Sequence, residues 1–217
     1  MNEARFARLH AIVATAPLLV WGAFHVWEQW AAFRGLRMWL VRMRSTSSGA
    51  MVGIELVLGV LPLVLWALLH VRARVLRERL PGAARGEGAL DAGLGLVAPF
   101  ASSVAIVFLL WHVGWLWGAK MRGAAPVELY DALQRTLGLP WALVVHAVGL
   151  VAVAWHLAAA LPDGLEAAGV IATLEGRRST RMLAVVIGLC LLALTAQLTG
   201  WLGTGAGTFW PIAVVPG

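Results

Sequence analysis

The chain has 217 residues, 60% of them hydrophobic and only 13% charged, with a mean hydropathy of +0.81. A soluble domain carries about one half apolar and one quarter charged residues, so a water-soluble globule is excluded and lipid is the solvent for most of this chain. The formal charge of +6 comes from arginines placed between apolar stretches; lipid headgroups and membrane topology account for it, and no nucleic-acid partner is implied.

Charge-poor windows mark five predicted helices, at about 8–30, 50–72, 93–118, 139–161 and 181–202. Each is near the roughly 20 apolar residues that cross a bilayer as a helix. Strands are excluded because a lone spanning sheet leaves backbone groups unpaired in lipid. The expected fold is an all-α membrane protein, a single transmembrane domain over 1–217 with five helices in a bundle. No repeat, linker or domain boundary interrupts it.

The first span runs from Leu9 to Trp30 and contains His10, Pro17, His25 and Glu28. It reads as a membrane helix rather than a cleaved signal peptide, because it is long and has His25 and Glu28 where small residues would mark cleavage. Pro17 and, in the second span, Pro62 are tolerated in spanning helices and predict kinks. Pro140 falls at the start of the fourth span, where a proline fits the first helical turn. Cys190, the single cysteine, lies in the fifth span. It excludes a disulfide framework, a cysteine-held iron–sulfur cluster and covalent c-type haem, and it reads as a small buried apolar residue. Beyond Trp201 the glycines Gly203, Gly205 and Gly207 and then Pro211 end the helix.

With the N-terminus inside, the inner segments hold Arg5, Arg8, Arg72, Arg74, Arg77, Arg79, Arg85, Arg177, Arg178 and Arg181. The outer segments hold Arg34, Arg37, Arg42, Arg44, Lys120, Arg122 and Arg135. The excess favours a cytoplasmic N-terminus in a cell inner membrane. The four arginines after the first span bind headgroups or, on a sharper reading, pair with haem propionates, since arginine holds carboxylates bidentately.

All six histidines lie in or at the ends of apolar spans. Such a histidine has no water to hydrate it and needs a partner or a ligand. His25 is nine residues before Arg34 and His112 is eight before Lys120. At about 1.5 Å per residue both lie roughly 12–14 Å short of the outer charges. The second and fourth spans run the other way, and their His70 and His156 lie toward the inner surface. Four helices thus give two levels with two histidines at each. That pattern suits two b haems, the outer held by His25 and His112 and the inner by His70 and His156, with facing side chains of a bundle building each site. His10 and His146 have no depth-matched partner and read as structural or polar contacts.

In order along the chain stand Arg8-Leu9-His10, Pro17 and His25; Glu55 and Leu61-Pro62-Leu63; Trp111-His112-Val113; Pro140, Gly149 and His156; and Arg177-Arg178-Ser179-Thr180-Arg181. In this order and spacing, over nearly the whole chain, the residues resemble the single-chain, five-helix dihaem cytochrome b subunit of succinate:menaquinone and fumarate reductases. The family places its second-span ligand four residues after the proline. Here that position is Trp66, and His70 follows one turn later on the same face.

The resemblance implies two b haems and a quinone, menaquinone in type. It implies as partners a flavoprotein that handles the dicarboxylate and an iron–sulfur subunit, so that the chain is the electron-transfer and quinone-site subunit of an enzyme. No Gly-rich dinucleotide fingerprint occurs in the chain itself. Glu28 and Glu55 are the acids within or bordering the spans, and quinone chemistry needs a titratable group at the membrane edge, so both are candidates for proton exchange. A helix-end charge reaching headgroups is the plainer role for Glu28. Trp21, Trp27, Trp115 and Trp117 lie near the outer level, mostly as an interfacial belt. The haem subunit of a membrane hydrogenase or formate dehydrogenase is the alternative within electron transfer. A cofactor-free scaffold or transporter is the alternative of another class.

Overall fold

The computed structural model describes residues 3–79 and 89–204; Arg85 and the Gly205–Pro211 tail lie outside them. The described residues form helices and no strand: α1 (Glu3–Val13), α2 (Ala16–Gln29), α3 (Leu36–Thr46), α4 (Gly49–Glu55), α5 (Leu61–Arg79), α6 (Ala89–Met121), α7 (Pro126–Leu137), α8 (Pro140–Ala167) and α9 (Leu174–Thr204). Five helical stretches are long and apolar enough to cross a membrane, Arg5–Ala32, Gly49–Ala73, Val97–Met121, Pro140–Ala167 and Leu174–Gly200. The chain is a multi-pass α-helical membrane protein. Its large exposed side chains are apolar on the spans, among them Val57, Leu68, Phe100, Val107, Val148 and Leu189, as a lipid-facing surface requires.

Helix α8 is the spine. It packs against α6 and α9 along its length and against α1 near its end. Its buried positions Ala142, His146, Gly149, Ala152 and His156 recur every three or four residues on one face. Small residues let the backbones approach: a Cβ added at Gly188 of α9 would lie 3.3 Å from Ala154 Cβ of α8. The core between the spans comprises Ala14, Leu18, Trp66, Ala105, Leu109, Val113 and Leu157.

The prolines do more than kink. The first span is two helices, broken at Ala14 and Thr15 just ahead of Pro17. Proline has no N–H and crowds the carbonyl one turn back, so the break leaves acceptors that lipid cannot satisfy. Thr15 Oγ1 donates to Ala11 O at 3.0 Å, and His156 Nε2 of α8 donates to Ala14 O at 2.9 Å. In the second span the turns widen to π geometry at Leu56–Val60, ahead of Pro62. The glycine there, Gly59, carries Trp21 of α2, whose Cδ1 lies 2.5 Å from where a Cβ would be. Pro140 opens α8 as expected.

Two helices occupy segments that the sequence reading left as loops. Gly35 at φ 98° and Gly123 at φ 76° turn the chain out of the spans at the end of the bundle away from the N-terminus, the end that the charge count assigns as outer. Helix α3 then buries Trp39, Met43 and Thr46 and exposes Arg37 and Arg44; α7 buries Leu129, Leu133 and Leu137. Ala32, Trp39, Met43, Leu129, Leu133 and Leu137 form a second core across the outer end of the bundle. Arg42 lies over the Trp27 ring, 3.9 Å from its centre. At the N-terminal end of the bundle Arg177 pairs with Asp163 and Glu166 across the α8–α9 turn, and Arg8 Nε donates to Ala167 O at 2.7 Å.

Candidate cofactor site

The outer tier gathers three histidines. The ring centres of His25 (α2) and His112 (α6) are 6.1 Å apart, with the planes at 89°. Metal–nitrogen bonds of about 2 Å put two imidazole centres on opposite sides of one metal about 6 Å apart. His146 of α8 joins them, its ring centre 5.3 Å from that of His112. All three line a cavity of about 130 Å³ whose other walls include Leu109, Leu116, Leu150 and Leu191. His25 Nδ1 faces Glu28 Oε2 at 3.6 Å. A metal-binding histidine carries such a carboxylate behind it, which orients the ring and leaves Nε2 for the metal. The outer donor set therefore fits a haem. Sequence depth alone left His146 unmatched. Its signal was its spacing on the buried face of α8, and its Nδ1 is engaged with Ala142 O at 2.8 Å.

Phe108 stacks on His112, ring centres 5.4 Å apart, and lies against Gly149 of α8, where an added Cβ would be 2.2 Å from the ring. Gly149→Ala is therefore expected to push Phe108 into His112. The cost in stability is about 1–3 kcal/mol, as for other overpacked cores, read as a lower Tm of the detergent-solubilised protein.

The inner tier is arranged differently. His10, His70 and His156 line one cavity of about 130 Å³ walled by Ala11, Ala14, Ala73 and Ala98. The sequence pairs His70 with His156. The ring that faces His70 is His10, centres 6.0 Å apart. His156 has Trp66 against its face at 4.4 Å, Ser102 Oγ at 2.8 Å from Nδ1, and the Ala14 carbonyl on Nε2. Both its nitrogens are thus engaged within the bundle. In this arrangement His70 and His156 do not fit as two ligands of one iron.

At the outer end, Lys120, Glu28 and Glu55 form one buried cluster. Glu28 is 3% exposed and Glu55 7%, so neither reaches headgroups. Lys120 Nζ donates to Glu28 Oε1 at 2.9 Å and to Glu55 Oε1 at 2.6 Å. Thr46 Oγ1 donates to Glu28 Oε1 at 2.6 Å and Gln29 Nε2 to Glu28 Oε2 at 3.3 Å; Trp39 Nε1 in turn fixes Gln29 Oε1 at 2.8 Å. Glu28, Gln29, Trp39, Glu55 and Lys120 line a second outer cavity of about 40 Å³ with Trp21 and Trp117, and His25 borders both outer cavities. Sequence reasoning counted Lys120 only as an outer charge. Arg34, Arg37 and Arg44 are exposed, as headgroup contacts would be.

Comparison with family models, with curated proteins and with solved structures gave no match. Fold and site define a multi-pass helical membrane protein with histidines in two tiers and a buried ion cluster beside the outer one.

Proposed function

We propose that the chain is a cytochrome b membrane anchor of the succinate dehydrogenase or fumarate reductase type, exchanging electrons between an iron–sulfur subunit and membrane quinone. The observation that carries this reading is the pair His25 and His112, on different helices, 6.1 Å apart at the wall of an apolar cavity. A b haem there would be held by those two imidazoles and would supply one-electron transfer. Glu28 holds the His25 ring in orientation, the leucines keep water from the site, and Phe108 fixes the His112 ring. Menaquinone is the proposed electron partner, near the outer tier at the end of the bundle where Glu55 and Lys120 lie. The flavoprotein and iron–sulfur partners would dock on the inner side, with the N-terminus cytoplasmic in the cell inner membrane.

The test is the purified complex. A reduced-minus-oxidised spectrum with b-type bands, and co-purification of a flavoprotein, are the expected results. A flavin-free complex with a hydrogenase or formate dehydrogenase subunit would move the chain to the other electron-transfer class; no haem band removes both readings. Two haems per chain would mean that His156 leaves Ala14 O, and one would mean that the outer tier alone is filled. Glu55→Gln is expected to slow quinone turnover at least tenfold with haem content unchanged, in the roughly 10²–10⁴-fold span of acid–base contributions or just below it; normal turnover would take Glu55 out of the site.

A further inference from the structure

We infer that one anionic phospholipid occupies the groove between the two proline breaks, with its phosphate on Arg72 and an acyl chain in the groove. The inference stands apart from the cytochrome reading.

The break ahead of Pro17 and the widened turns ahead of Pro62 come side by side. Val13 of α1, Ala16 and Pro17 of α2, Val57 of the π turns and Leu61, Pro62 and Leu65 of α5 wall a groove of about 320 Å³, larger than either histidine cavity. Every side chain on its wall is apolar. Ala16, Val57, Leu61 and Leu65 are exposed, so the groove opens toward lipid and not into the core. Left empty, its walls forfeit their dispersion contacts, and the membrane supplies the filler.

The groove leads to a cation. Leu61, Leu65, Leu68 and Arg72 follow at four, three and four residues and are all exposed, one stripe along α5. Arg5, Leu9 and Ile12 make a matching stripe on α1. The stripes meet at the N-terminal end of the bundle, where Arg72 Cζ lies 4.9 Å from the centre of the Phe6 ring, a cation–π contact that holds the guanidinium in place. A guanidinium has five N–H donors and takes phosphate bidentately. No carboxylate among the described side chains pairs with Arg72. Leu65 and Leu61 are seven and eleven residues from Arg72, about 10 and 16 Å along the helix. Half of a hydrocarbon core is about 15 Å, so a lipid with its phosphate on Arg72 runs its chain through the groove to the bilayer centre. Other occupants match less of this. A neutral isoprenoid gives Arg72 nothing to hold. A second copy related by a two-fold axis along the membrane normal would set Arg5 and Arg72 against the same arginines.

The probe is dioleoylphosphatidylglycerol, titrated into the delipidated, detergent-solubilised full chain and counted by native mass spectrometry, with Tm read on each sample. Dioleoylphosphatidylcholine and dihexanoylphosphatidylglycerol are the comparison lipids. The first phosphatidylglycerol should bind about fivefold or more tighter than phosphatidylcholine. Arg72→Gln should raise the Kd of both phosphatidylglycerols about tenfold, the loss of a charged hydrogen-bond donor. Ala16→Phe fills the groove from an exposed position. It should weaken the dioleoyl lipid about fourfold or more, the burial of at least one methylene, and leave the dihexanoyl lipid, too short to reach the groove, unchanged. Leu65→Trp on the facing wall is the second filling variant and should act alike. Native affinity in Arg72→Gln, or in both filling variants, overturns the inference. So does a co-purified isoprenoid or a dimer that is lost with Ala16→Phe while phospholipid binding is unchanged. A haem-free chain that binds the lipid in this way supports the inference and removes only the cytochrome reading.

Discussion

Replacing His112 by alanine is expected to remove about one b haem per chain, measured as haem against protein after purification. The loss should be nearly complete, because an apolar cavity holds an iron porphyrin by its axial nitrogens and His112 supplies one of two. His25→Ala should give the same loss. His146→Ala is the discriminating control. Its ring is nearer to His112 than that of His25, 5.3 against 6.1 Å, but its Nδ1 is engaged on its own helix at Ala142 O. Haem content should be unchanged by His146→Ala. If it falls there and survives His25→Ala, the outer pair is His112 with His146, and the depth argument from the sequence has chosen the wrong partner.

The second large effect is on stability. Lys120→Met is expected to cost about 3–5 kcal/mol, the range for breaking a buried ion pair from one side. Glu28 and Glu55 would be left facing each other within the bundle. Restoring the charge balance with Glu55→Gln should recover most of that loss, and the non-additivity in a double-mutant cycle is the measurement. Additive losses would mean that the lysine and the acid act independently, and the 2.6 Å contact would then carry little energy.

The sequence specifies the bundle well because lipid leaves few choices. Five charge-poor apolar windows can only be helices, and successive ones run in opposite directions. His25 and His112 could be placed at one depth by rise per residue alone, and the structure brings their rings together. What the sequence could not show depends on how helices rotate and break. The break ahead of Pro17 exposes the Ala14 carbonyl, and that carbonyl claims His156, a residue whose depth suggested only a haem ligand. Trp66 then lies against the same imidazole, where a one-turn shift of His70 had left a gap in the family pattern. In the sequence Lys120 is indistinguishable from a topological charge, because a lone cation at a helix end reaches headgroups more often than carboxylates. Only the folding of α3 over the outer end puts Thr46 on Glu28 and closes the cluster from water. Helices α3 and α7 escaped notice because they are 11 and 12 residues long and carry charge, too short and too polar to stand out beside the spans.

Electron paramagnetic resonance of the oxidised, purified native chain tests the central claim most directly, since it reports the axial ligands of the iron. The account predicts a low-spin ferric haem with two imidazole ligands that disappears in both His25→Ala and His112→Ala. A chain with no haem signal, or with a signal unchanged by either substitution, would contradict it.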